Sequence, residues 1–321
     1  MSAALIVSLD FELFWGMLDC CPLEDYQENV MGGRKAIPQL LNLFQKYGIH
    51  ATWATVGFMF ADNFQELAEY FPERGMLPSY SNPALTPYDW FAKIGSNEQE
   101  APCFYAPSLI RLVSETPGQE IGSHTFSHYY CREKGQTVEQ FAADMKAAKE
   151  IAARHGCDVT SVVLPRNQCE PEYTQVLREL GFTAYRDEEN DWIHEKVKFR
   201  PLLRLLRLAD VYFPLTGQGG YVPKKEDGIW NLVGSRMYKP IFQPLCFLER
   251  VKLHRIKRQM LHAAKNNLTF HLWWHPHNIG VRTDAHLKQL EEIFAYYQEL
   301  KEKYGMESLN MGEAAARGEE K

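Results

Sequence analysis

Apolar residues along this chain recur in two periods that take turns. Residues 4–9, Ala4-Leu5-Ile6-Val7-Ser8-Leu9, form a near-continuous apolar run that predicts a parallel strand covered on both faces, ending at the acidic Asp10 and Glu12. Residues 36–44 then show helical spacing that stops near Gly48, and Ile49 to Val56 is a β-branched run that predicts a second strand. The rhythm resumes after residue 107: a helix from Ser108, a short strand over Gly118 to Gly122, a strongly periodic helix over Thr137 to His155, and a strand over Ser161 to Pro165. A helix over Tyr173 to Leu180 and a strand over Phe182 to Tyr185 follow. The last strand is expected over Leu268 to His275 and the last helix over residues 283–304. Repeated βα units of this kind point to an α/β barrel or an open doubly wound sheet.

Two regions depart from the rhythm. Residues 72–107 are rich in Pro, Ser, Asn and Tyr without periodicity, which predicts a long irregular insertion. Between Glu195 and Pro223, Arg200, Arg204 and Arg207 alternate with leucines at helical spacing, and a second basic stretch runs from Arg250 to Arg258. Such arginines can hold phosphates or the anionic surface of a membrane, or form the solvated face of a core helix. The tail, residues 312–321, is expected to fray.

Composition narrows the class. With 321 residues, 45% hydrophobic, 24% charged and a net charge of −6, the chain has no bias toward nucleic acid and can bury a large core without staples. The apolar N-terminal run is too short and wrongly flanked for a signal peptide, and no stretch reaches a transmembrane length, so a cytoplasmic protein with at most peripheral membrane contact is expected. Seven cysteines without a Cys-x-x-Cys fit reduced thiols; Cys103, Cys131, Cys157, Cys169 and Cys246 read as packing residues.

The chemistry concentrates at strand ends. Asp10 and Glu12 are two apart and project together from an extended strand, and two converging carboxylates favour a cation or a shared proton. His124 and His128 follow a predicted strand; on a helix, residues four apart share one face with Cβ atoms roughly 5–6 Å apart. Together these residues form a candidate carboxylate-His-His site with oxygen and nitrogen donors suited to zinc, in which one carboxylate binds metal and the other moves protons. His271, Trp273, His275 and His277 share a strand face by period 2, and His275 sits at the strand end, where barrel active-site groups belong.

In order along the chain, Leu9-Asp10-Phe11-Glu12, Tyr47 to Trp53, Glu120-Ile121-Gly122-Ser123-His124-Thr125-Phe126-Ser127-His128, Asp187 to Asp191-Trp192, and Leu272 to Pro276 resemble the motifs of the polysaccharide deacetylase family, the NodB-homology carbohydrate esterases. The segment around the two histidines is the most specific match. The resemblance implies a single domain over residues 1–311 with a distorted (β/α)7 barrel. It further implies one divalent metal, usually zinc, on Glu12, His124 and His128, with Asp10 as general base and His275 as general acid. The family's Arg-x-Pro-x-Gly motif appears here as Leu164-Pro165-Arg166-Asn167-Gln168, which makes Arg166 the candidate partner of Asp10 and leaves the oxyanion donor unnamed. Asp191 and Trp192 fall in the family's Asp-Trp region, and Trp15, Trp192 and Trp274 are candidates for stacking on sugar rings.

The function so implied is metal-dependent removal of N-acetyl groups from an amino-sugar glycan or glycan precursor, and a lipid-linked precursor fits the basic stretches, which would meet its phosphates. Opening of a cyclic amide or ureide such as allantoin on the same fold, and a noncatalytic carbohydrate-binding relative, are the alternatives.

Overall fold

Burial on both faces, which the apolar runs foretold, is met by a barrel wall clad in helices. The computed structural model describes residues 2–187 and 192–319. Its strands are β1 (Ala4–Phe11), β2 (Ala51–Thr55), β3 (Gln119–Ser123), β4 (Ser161–Val163), β5 (Ala184–Arg186), β6 (Gly220–Tyr221), β7 (Lys224–Glu226), β8 (Ile229–Asn231), β9 (Arg236–Met237), β10 (Thr269–Trp274) and β11 (Glu307–Leu309).

Seven of them run parallel side by side in the order β10-β1-β2-β3-β4-β5-β8 and curl into a distorted (β/α)7 barrel. The chain leaving β8 returns to the other end of this series as β9, which pairs with β10. The pleat sorts the side chains of β1: Leu5, Val7, Leu9 and Phe11 join the large core shared with the helices, whereas Ile6 packs inside with Ala54, Val163, Ala184, Trp230 and Leu232. Ser8 and Asp10 share that inner face, so the barrel becomes polar toward its carboxyl end.

The helices fall close to their expected places, and the first runs longer than expected. Leu23–Tyr47 covers β1 and β2 and ends on Gly48 at φ 55, the left-handed conformation that glycine adopts without strain. Val138–Arg154 opens with a capping box between Thr137 and Gln140. The insertion holds 3-10 turns at Arg74–Met76, Pro83–Leu85 and Tyr88–Ala92, and the last of them carries Tyr88, Trp90 and Phe91 onto the core.

The tail is the main departure. Residues Met311–Glu319 form a helix rather than a frayed end, with Met311, Ala314 and Ala315 buried in the inner core. An Asn310/Glu313 capping box starts it, and the half-buried Glu120 carboxylate accepts from Gly312 N at 3.1 Å. All seven cysteines are free; Cys246 is exposed instead of packed.

Candidate metal centre

Every polar group of the site leaves the carboxyl end of a strand, the end where barrel loops build chemistry. Glu12 follows β1, and His124 and His128 lie in the loop after β3. Their ligand atoms all lie within 4.8 Å of one another. Glu12 Oε2 is 3.1 Å from His124 Nε2 and 3.0 Å from His128 Nε2, close to the ~3.4 Å that separates ligands of one tetrahedral ion at ~2.1 Å.

Protonation suits such an ion. Burial opposes charge on Glu12, but His275, His124 and His128 outweigh it and hold the carboxyl well below its usual range. Burial likewise keeps His128 neutral against the pull of Glu12. His124 Nδ1 lies 2.7 Å from the carbonyl of Val163, which as acceptor fixes the tautomer and leaves Nε2 as the ligand. A carboxylate oxygen and two imidazole nitrogens, all buried, fit a divalent metal.

The two histidines do not share a helix. Their loop is irregular, with Thr125 at φ 64 and His128 at φ 58, and the rings approach to 5.1 Å by that route. Such backbone needs support. The buried Asp144 of helix Val138–Arg154 accepts from Phe126 N at 2.7 Å, from Ser127 N at 3.2 Å and from the Ser127 hydroxyl. Room for the longer Glu12 comes from Gly16, where a Cβ would stand 2.1 Å from the Glu12 carboxyl.

Asp10 takes a different partner from the one expected. Arg166 points to the rim, where it pairs with Asp19 at 2.5 Å and Glu133 at 2.8 Å over the Tyr130 ring. Its position after Pro165, at φ 58, turns it away from the barrel axis. The guanidinium that grips Asp10 belongs to Arg186 at the end of β5: both contacts are 2.7 Å, a bidentate fork. Arg186 also donates to Ser8 Oγ at 2.8 Å and to Asn167 Oδ1, and lies 4.2 Å over the Trp273 ring. Burial raises the Asp10 pKa, but Arg186 and then His275 bring it below the ordinary carboxylate value. Period 2 from the inward Ala184 is the sequence signal that could have singled out Arg186.

His275 meets both carboxylates: Nε2 is 3.6 Å from Asp10 Oδ2 and 3.6 Å from Glu12 Oε1. Asn278 Nδ2 lies 3.1 Å from its Nδ1, and the His277 ring stacks on it at 5.0 Å.

The tryptophans are redistributed. Trp15 is buried among Phe58, Phe91 and Phe104, and Trp274 is buried against Phe44 and Tyr238, so neither reaches a sugar. The parity of β10 explains the second case, since it is Trp273 that shares the inner face with His271 and His275. Trp192 is exposed and donates to Leu215 O at 2.8 Å; Asp191 lies outside the described residues.

Trp273 and Asn167 also line a cleft of about 360 Å³ that opens beside the site. Arg166, Arg207, Arg236, Lys239, Lys252 and Arg255 line it too, and Asp210 is the acid among its described residues. Arg236 and Arg255 share that carboxylate at 2.8 and 2.7 Å.

Residues 25–185 match the polysaccharide deacetylase family. No curated protein matches the sequence. Among solved structures, the fold is similar to that of a probable polysaccharide deacetylase from Pseudomonas aeruginosa, with a TM-score of 0.60 at 13% identity, covering 98% of this chain and 89% of the other. A Mycobacterium smegmatis protein named for the same family aligns at 0.59 and 13%, over 100% and 92% of the two chains. An allantoinase aligns at 0.59 and 13%, over 98% and 89%. With half of its length matched by the family and its barrel shared with solved structures named for it, the chain belongs to the polysaccharide deacetylase family.

Proposed function

We propose that this protein is a metal-dependent hydrolase that removes the acetyl group from an N-acetylated amino sugar. The observation that carries the reading is the meeting of Glu12, His124 and His128 with Asp10 and His275 at one barrel rim. A divalent ion, zinc by its donor set, held by Glu12, His124 and His128 would polarise the amide carbonyl and lower the pKa of a water toward ~7.

The chain's own groups do the rest. Asp10, ionised and oriented by the Arg186 fork, accepts the proton of the attacking water. His275 donates through Nε2 to the departing amine, a service worth about 10²–10⁴ in rate. Trp273, beside His275, offers its ring to the sugar. The cationic cleft next to it suits a phosphate attached to that sugar, so a lipid-linked or nucleotide-linked precursor is the substrate class favoured.

The fold's equal likeness to an allantoinase supports a second reading, in which the same groups open a cyclic ureide. A noncatalytic role is disfavoured because binding alone needs neither Asp10 nor His275. The test is acetate release from N-acetylhexosamine glycans, lipid-linked sugars and nucleotide sugars, with chelator and after zinc re-addition, alongside hydrolysis of allantoin. Chelator-sensitive acetate release is expected. Hydrolysis of allantoin without acetate release from any sugar would transfer the assignment to the second reading, and no hydrolysis of either would end both.

A further inference from the structure

Helix Arg200–Tyr212 buries Asp210 and Tyr212 and leaves much of its apolar side in solvent. Arg207, Asp210 and Val211 line the cationic cleft, while Leu202 and Leu205, on the opposite side of the helix, are 43% and 61% exposed. A core helix would have these leucines buried. Phe199, which caps it, is 68% exposed, and Phe213 just beyond its end is 50% exposed. Eleven of the thirteen large apolar side chains exposed among the described residues fall between Trp192 and Val251. They include Phe247, 72% exposed, in the turn Gln243–Leu248 that leads into helix Glu249–Lys265, on which Arg200–Tyr212 packs.

The same stretch has a local excess of positive charge. From Trp192 to Lys265 there are fifteen Lys and Arg against five Asp and Glu, a net +10 within a chain whose net charge is −6. Exposed leucine and phenylalanine on one side of a basic amphipathic helix is the arrangement that seats in the headgroup layer of a bilayer, and each cation near an anionic surface adds attraction. A second copy of this chain is the poorer occupant, because a self-complementary contact would set two such positive flanks against each other.

We propose that this flank docks the protein on an anionic lipid surface, with Phe199, Leu202 and Leu205 entering the headgroup layer and the surrounding cations meeting its phosphates. The cleft, on the other side of the same helix, is then held beside the membrane. This docking does not depend on the deacetylase reading.

The test is co-sedimentation of the full chain with vesicles of phosphatidylglycerol and phosphatidylcholine in equal parts, and with phosphatidylcholine alone. Wild type should pellet with the mixed vesicles, need about tenfold more lipid in the absence of phosphatidylglycerol, and be released by high salt. The double variant Leu202→Asp/Leu205→Asp should bind the mixed vesicles about tenfold or more weakly with an unchanged melting curve, since both positions face solvent. Wild type left in the supernatant, or a double variant that pellets like wild type, would overturn the proposal. So would light scattering that shows a wild-type dimer converted to monomer by the two substitutions, which would make this face a self-contact. Vesicle binding needs no substrate, so its failure and a failure of acetate release are separate results.

Discussion

The rim around Glu12 and the flank from Trp192 to Lys265 both break the usual partition of polar outside and apolar inside, in opposite directions. At the rim, Asp10, Glu12, His124 and His128 are buried, and each charge is answered: Asp10 by Arg186, Glu12 by the two histidines. On the flank, leucines and phenylalanines face solvent beside a surplus of cations. Buried charge is tolerated only with a partner, so the rim is rigidly specified and sensitive to any deletion. Exposed apolar surface costs the folded chain little, so side chains on the flank can be replaced without unfolding it. Substitutions should therefore have large effects at the rim and small ones on the flank.

The largest effect is expected at Asp10. Asp10→Asn removes the proposed proton acceptor while keeping shape, and acetate release should fall by about 10²–10⁴ in kcat/KM with metal content retained. Next come the two arginines. Arg186→Met leaves a buried carboxylate without its fork and should cost about 3–5 kcal/mol in urea unfolding. Arg166→Met breaks pairs whose guanidinium is more than one-third exposed and should cost no more than about 1 kcal/mol. Equal losses at the two positions would erase the distinction between the buried pair at Asp10 and the part-exposed pairs of Arg166.

Gly16→Ala probes the space given to Glu12. The added methyl meets the carboxyl, and metal affinity measured by chelator competition should drop about 10–100-fold without loss of fold. A smaller effect follows from His271, which lies below the site with Nε2 2.8 Å from Ser8 Oγ. Burial, then Arg186, pushes its pKa from 6.5 down to about 3. The unfolded chain therefore binds a proton that the native state refuses between those values. This part of the stability is complete above pH 6.5 and declines as pH falls toward 3. Between pH 7 and 4.5, wild type should lose about 2 kcal/mol more than His271→Asn in urea melts. On the flank, Leu205→Asp should change stability by less than about 0.5 kcal/mol.

The same contrast explains what could be read from the residues alone. β1, the histidine loop and His275 were legible because acidic and imidazole groups end apolar runs, where a hydrophobic pattern would not put them without reason. Arg186 was not, because Arg166 beside Pro165 resembled the family motif, while the inward parity of a strand as short as Ala184–Arg186 is a weak signal. Trp274 was misassigned although the period that put Trp273 with His275 already excluded it. Trp15 was misplaced because nothing local reveals that the 72–107 insertion folds Phe91 and Phe104 over it. The histidine pair reached its spacing through two left-handed residues instead of a helix, a backbone that only the Asp144 contacts make visible. On the flank, amphipathicity was legible and its orientation was not: periodicity separates two faces of a helix and does not say which medium each one meets.

The most direct test is the metal content of purified protein, by elemental analysis after dialysis against trace divalent ions, for wild type, Glu12→Ala and His124→Ala. One ion per wild-type chain, lost in both variants with the fold intact by circular dichroism, is the predicted result. A wild-type chain without stoichiometric metal, or variants that keep it, would contradict the site at Glu12, His124 and His128.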